Sequence, residues 1–219
     1  ERAEMGRLVA RRIVVRHLAT MARLGIGYDL LAHESDILGL DFFSVAFERL
    51  KATGAVALEA SGKNAGCGVM PLEGTPEFAG LEDPDKVIVR SDGTVTYVGK
   101  DIAYQLWKFG LLGKDFAYRY WREAGLWVTA REGADDHPAF GHGANVINVI
   151  DARQSYLQKI VRAGLSALGH HEAAARSVHF AYEMVTLSPA TAKALGYAAE
   201  AGSESRAMEM SGRKGIGVK

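Results

Sequence analysis

The second half of the chain alternates between two periods, and that alternation constrains the fold more than any single motif. "KVIVRSDG" reads as an apolar strand followed by a turn, and "TVTYVG" as a second strand rich in β-branched residues. "KDIAYQLWKFGLL" has helical spacing, and "DFAYRYWREAGLWVTAREGADDHPAFGHG" reads as a loop-rich stretch with aromatic pieces. "ANVINVID" reads as an apolar run, the pattern of a strand buried on both faces. A helix follows in "ARQSYLQKIVRAGLSALG", ended by Gly169, and then a strand in "ARSVHFAYEMV". Strands alternating with helices of this length predict βαβ crossovers and a parallel sheet, an α/β fold. In open α/β sheets ligands bind beyond the carboxyl ends of strands, which directs attention to the residues after "TVTY", after Asp151 and around "FAYEMV".

The first half is organised differently. Leu8, Ile13, Val14, Val15, Leu18, Met21 and Leu24 give a helical pattern that Gly25 and Gly27 stop. "YDLLAHESDI" predicts a short strand and its exit, and "DFFSVAFERLKATGAV" a second amphipathic helix ending at Gly54. Residues 57–86 turn rich in glycine, proline and acid, the composition of a small loop-rich insertion. The expected division is 1–56 as a connecting region, 57–86 as the insertion, and 87–219 as the main α/β unit.

Of the 219 residues, 48% are hydrophobic and 24% charged, and the formal net charge is zero, so no global field advertises a nucleic-acid partner. A single cysteine, Cys67, allows no internal disulfide and fits a reducing, cytoplasmic setting. No apolar run has membrane-spanning length. The chain opens at Glu1 within a helical pattern, which suggests a piece of a longer protein.

Several residues carry possible chemistry. Tyr97 falls at a predicted strand end and Asp101 four residues on, in the first turn of the next helix. A carboxylate there serves the helix dipole, or it accepts two parallel bonds from a guanidinium with an aromatic ring alongside. Gln154, just past "NVID", offers both a donor and an acceptor to a polar substrate, although Asp151 to Gln154 also fit a helix-capping turn. His137, His142, His170 and His171 lack metal-ligand spacing, and no metal site is expected. "MSGRKG" places Ser211, Arg213 and Lys214 among Gly212 and Gly215, a composition that suits either a basic tail or a phosphate-gripping loop, without the spacing of a P-loop or a GxGxxG turn.

In order along the chain, "RSDGTVTYVGKDIAYQLWKFG", "NVIDARQSYLQKI", "FAYEMV" and "MSGRKG" resemble the catalytic domain of arginyl-tRNA synthetases, class I aminoacyl-tRNA synthetases, over essentially the whole chain. "MSGRKG" resembles their second signature loop, usually written KMSKS, with Glu209 where its first lysine would stand and Gly212 where its second would. The other class I signature, HIGH, does not occur in the sequence and is expected upstream, with a helical anticodon-binding domain downstream. The resemblance implies the second half of a Rossmann-like catalytic domain, a parallel sheet with flanking helices, that activates arginine with ATP, accompanied by Mg2+, and transfers it to tRNA(Arg). It implies that Tyr97, Asp101 and Gln154 bind arginine. It implies that His179, Phe180, Met210 and Ser211 approach ATP, and that Ser211, Arg213 and Lys214 act on its phosphates. The piece alone is expected to be inactive or nearly so, with an exposed sheet edge that promotes self-association. A stand-alone arginine- or nucleotide-binding module without ligase activity is the alternative. A Rossmann-like oxidoreductase is a third reading, disfavoured by the missing GxGxxG.

Overall fold

A computed structural model describes residues 2–73, 75–78, 84–134, 136–184, 186–196 and 208–209. It is a mixed α/β chain. Helix α1 (Arg2–Arg23) leads to the short strand β1 (Leu30–Leu31), then α2 (Glu34–Gly39) and α3 (Phe42–Ala52). Strands β2 (Ala57–Leu58), β3 (Gly68–Met70) and β4 (Lys86–Val89) form one antiparallel sheet in the order β2-β3-β4. Helix α4 (Tyr97–Lys108) follows, then the hairpin β5 (Ala117–Trp121) and β6 (Leu126–Ala130). Strand β1 joins the edge of that hairpin in parallel with β6. Strand β7 (Val146–Asp151), helices α5 (Ser155–Ala167) and α6 (His171–Ala175), and strand β8 (Ser177–Tyr182) complete a parallel pair, registered from Val146↔Ser177 to Asp151↔Tyr182. Strand β9 (Thr186–Leu187) precedes α7 (Pro189–Ala194) and pairs with β10 (Met208–Glu209).

Helix α4 is the hub. Ile102, Ala103 and Leu106 have no solvent exposure, and burial of an Ile or Leu side chain stabilises by roughly 1.5–3 kcal/mol. Two glycines allow its neighbours to come close. A Cβ on Gly99 would meet the Phe43 ring of α3 at 2.6 Å, and one on Gly164 of α5 would meet Ile102 at 2.9 Å. Met70, Leu72 and Phe78, from the stretch between β2 and β4, join the same core as α3, α4 and α5.

The expected alternation is present, and three details differ. The parallel component is small: among the described residues it comprises β7–β8 and the β1–β6 pair, within four small sheets, rather than one continuous Rossmann-like sheet. "TVTYVG" is not a strand. Only Val95 bridges back, to Val89, and Thr96 donates its hydroxyl to the Ile88 carbonyl at 2.9 Å, so the chain leaves β4 and Tyr97 opens α4. The aromatic stretch predicted as loop is the β5–β6 hairpin, closed by Gly125 at φ +69, where the Trp121 carbonyl accepts from the Ala124 and Gly125 amides. The signal for it lies in the alternating aromatics of "AYRYW" and "LWVTA" around a short glycine-containing turn.

Candidate functional site

Strand β7 has two unlike faces. The apolar run suggested burial on both, but Ile147 and Val149 are 62% and 63% exposed, and Phe180 beside them on β8 is 63% exposed. The amide within the strand, Asn148, points inward and is buried. The reason is that α4 and α5 cover only one side of the pair. Successive strand residues alternate faces, so placing the amide inside forces its apolar neighbours outside.

Asn148 sits at the centre of a buried polar network. Its side-chain amide donates to the Gln158 Oε1 of α5 at 3.0 Å and to the Gln105 Oε1 of α4 at 3.4 Å. Gln105 Nε2 donates to the Ser177 hydroxyl of β8 at 2.9 Å. Lys108 donates its ammonium to Asn148 Oδ1 at 2.8 Å and lies 4.6 Å above the Tyr104 ring. Burial lowers the Lys108 pKa, partly offset by the charge of Asp101. Buried amides persist only when their groups are paired, and here both strands and both helices contribute partners.

Asp101 lies two turns before Lys108 on the same stripe of α4, and Tyr97 one turn before Asp101. Burial raises the Asp101 pKa; the charge of Lys108 opposes the rise, Glu34 adds to it and Lys100 opposes it. Lys100 itself is held by Glu34 in an ion pair. Among the described residues, no hydrogen bond or ion pair engages the Asp101 carboxylate. A half-buried carboxylate of this kind has lost water without gaining a bonded partner, the state that an incoming cation relieves. Tyr97 is 57% exposed at the mouth of the helix.

Gln154 ends the 3₁₀ turn Ala152–Gln154 that carries β7 into α5, and it is exposed. Asp151 is engaged rather than open: it accepts from the Arg153 amide and from the Arg153 guanidinium at 2.9 Å, and its pKa is lowered chiefly by Arg153. His179, half-buried opposite Asn148, donates Nε2 to the Ile150 carbonyl at 2.9 Å, and Phe180 points to the opposite, open face. Tyr97 and Asp101 thus share a helix face, while Gln154 sits at the far end of β7 with no hydrogen bond to either. Met210, Ser211, Arg213 and Lys214 lie outside the described residues. Sequence reasoning did not single out Lys108, Gln105, Asn148 or Gln158. The signal was available in Asn148, a lone amide inside an otherwise apolar strand run.

Among the described residues, no three His, Cys, Asp or Glu side chains gather as a metal site, and no helix is long and apolar enough to cross a membrane.

No family model matches the chain. Individual proteins do. It is 40% identical over 217 residues to the arginine–tRNA ligase of Deinococcus radiodurans, covering 97% of this chain and 32% of that protein. It is 39% identical over 220 residues to the arginine–tRNA ligase of Thermus thermophilus, covering 100% of this chain and 33% of that protein. The solved Thermus thermophilus arginyl-tRNA synthetase superposes with a TM-score of 0.72 at 39% identity, over 83% of this chain and 30% of that one. The chain therefore spans about a third of the length of the curated relatives it matches.

Proposed function

We propose, for a chain that belongs with the arginyl-tRNA synthetases and corresponds to about a third of their length, that it supplies the arginine pocket of an ATP-dependent arginine–tRNA ligase. One observation carries the proposal: among the described residues Asp101 is a half-buried carboxylate without a bonded partner, one helical turn from the exposed Tyr97. A guanidinium suits such a carboxylate. It is planar, permanently charged and able to give a carboxylate two parallel hydrogen bonds, while the Tyr97 ring flanks it. Lys108 biases Asp101 toward the charged form that the substrate requires, without itself bonding to it. Gln154, exposed at the end of β7, orients the polar end of the amino acid.

In the reaction proposed, the arginine carboxylate attacks the α-phosphorus of ATP. The bond from that phosphorus to the pyrophosphate oxygen breaks, and arginyl-adenylate and pyrophosphate form. A terminal ribose hydroxyl of tRNA(Arg) then takes the arginyl group and releases AMP. Residues around His179 and Phe180 are assigned to the adenine side, with Met210 and Ser211. Ser211, Arg213 and Lys214 are assigned to charge developing on the departing pyrophosphate. Mg2+ enters with the nucleotide phosphates, which together with water supply most of the oxygen ligands such an ion takes. In this reading β7 and β8, joined through α5 and α6, are part of a Rossmann-like parallel sheet that the rest of the ligase extends. Residues 1–56 connect to that unit, residues 57–86 are an insertion, and 87–219 belong to the catalytic fold.

The test is Asp101→Asn carried in the full-length ligase. ATP–pyrophosphate exchange should show the KM for arginine rising at least tenfold, the loss of a charge-assisted hydrogen bond of roughly 1.5–3 kcal/mol, with little change in the KM for ATP. Unchanged arginine kinetics would remove Asp101 from the pocket. Arginine binding with no exchange activity at all would favour a binding module over a ligase.

A further inference from the structure

We propose that helix α1 is a docking surface for the phosphate backbone of RNA. The charge of the molecule is segregated there. Residues Arg2–Arg23 contain six arginines, one acid and no lysine, in a chain whose 26 basic and 26 acidic residues balance. The remainder of the chain accordingly carries five more acids than bases. Arg7, Arg11, Arg12, Arg16 and Arg23 are all exposed. Among the described residues only Arg11 has an ionic partner, Glu123 at 3.3 Å, and it also stacks 5.1 Å over the Trp121 ring. Val14, Leu18 and Met21 are the half-buried residues that seat the helix.

Placement of the remaining arginines selects the occupant. At 100° per residue, Arg12, Arg16 and Arg23 fall within about 40° of one another on the outward side, at axial spacings of about 6 Å and about 10 Å. An all-arginine row suits phosphate, because each guanidinium presents a planar fork to two oxygens whereas lysine offers a point charge. A phosphodiester strand carries a matching row of anions by construction; a protein partner would need a row of carboxylates placed to fit. A membrane surface fits poorly. An interfacial helix separates an apolar from a charged face, but Met5 falls within the arc of Arg12, Arg16 and Arg23 and Val9 about 20° beyond it, and both are about half exposed. The inference rests on the ligase reading only for the kind of RNA, a tRNA, and it uses none of the arginine-pocket residues.

The experiment is fluorescence anisotropy of a labelled tRNA(Arg) transcript with the 219-residue chain across a salt series. The Arg12→Gln, Arg16→Gln, Arg23→Gln triple variant should bind at least tenfold more weakly, and the slope of log K against log salt should flatten by about two to three, close to one for each phosphate no longer neutralised. A control triple removing equal charge elsewhere, Lys51→Gln, Arg90→Gln and Lys114→Gln, should stay within about threefold of the parent. Equal weakening by both triples, or an unchanged slope, overturns the proposal. So does binding of phosphatidylserine vesicles that depends on the three arginines while RNA binding does not. Circular dichroism checks that α1 stays helical; if the triple loses helix, Arg16→Gln alone is read for a slope change of about one. Arginine titration of the same samples separates the two readings: loss of RNA affinity with arginine binding retained supports the surface. RNA affinity that falls in Asp101→Asn to the same degree as in the triple variant contradicts it.

Discussion

Helices α1 and α4 hold their cations in opposite ways. In α1, Arg7, Arg11, Arg12, Arg16 and Arg23 are exposed to water, and of these Arg11 alone has an ionic partner among the described residues. In α4 the buried cation, Lys108, is hydrogen-bonded to Asn148, covers the Tyr104 ring and has its pKa lowered by burial. The anions differ in the same sense. Glu4 on α1 is exposed, whereas Asp101 on α4 is half-buried, with its pKa raised chiefly by burial. A helix that keeps its charges solvated spends little folding energy on them and presents them to a large polyanion. A helix that buries charge in a network fixes its geometry and suits recognition of one small cation.

The contrast should appear first in stability. Leu106→Ala removes a fully buried side chain from α4 and should cost about 2–5 kcal/mol in urea denaturation. Val9→Ala on α1 removes an exposed one and should stay within about 0.5 kcal/mol. Comparable losses at the two sites would mean that α1 is packed and the contrast is false.

A smaller effect is expected from the network. Asn148→Leu leaves Lys108, Gln105 and Gln158 without their shared partner and should cost about 1–3 kcal/mol. Adding Lys108→Met should recover part of that loss, because an unpaired buried ammonium is then no longer present. A double variant no better than the single would show that Lys108 simply turns to solvent.

The smallest effect is the most specific to the pocket. The Asp101 pKa is raised in the folded state, so folding favours the protonated carboxyl. Below the ordinary carboxylate range, near ~4, both states hold the proton and Asp101 imposes no penalty. The penalty grows as pH rises from there through the raised folded value, and it is constant above. Asp101→Asn should therefore melt slightly higher than the parent at pH 7, with the difference vanishing as pH falls into that acidic range. A variant that melts lower at neutral pH would mean that Asp101 is already satisfied by a structural partner.

Much of the fold is visible in local pattern. The α1, α3 and α5 periodicities and their glycine stops appear where the spacing places them, because each depends on contacts within a few turns. The sequence places Asp101 on a helix but Tyr97 at a strand end, and the two share a helix face only because α4 already begins at Tyr97. What depends on distant partners is not visible in local pattern. Whether "TVTYVG" continues as strand is decided by Thr96 bonding back to β4. Which face of "NVINVID" is buried is decided by where α4 and α5 lie, and the apolar residues alone favour neither. The Asn148 network joins residues 43 and 10 positions apart to one side chain, beyond any local period.

The central claim is that Asp101 reads the positive charge of a guanidinium, and titration calorimetry of the 219-residue chain with arginine and with citrulline, its neutral isostere, tests it most directly. Arginine should bind at least tenfold more tightly than citrulline, and Asp101→Asn should abolish that preference while leaving the fold intact by circular dichroism. Equal affinity for the two amino acids in the parent chain, or a preference for arginine that survives Asp101→Asn, would contradict the account.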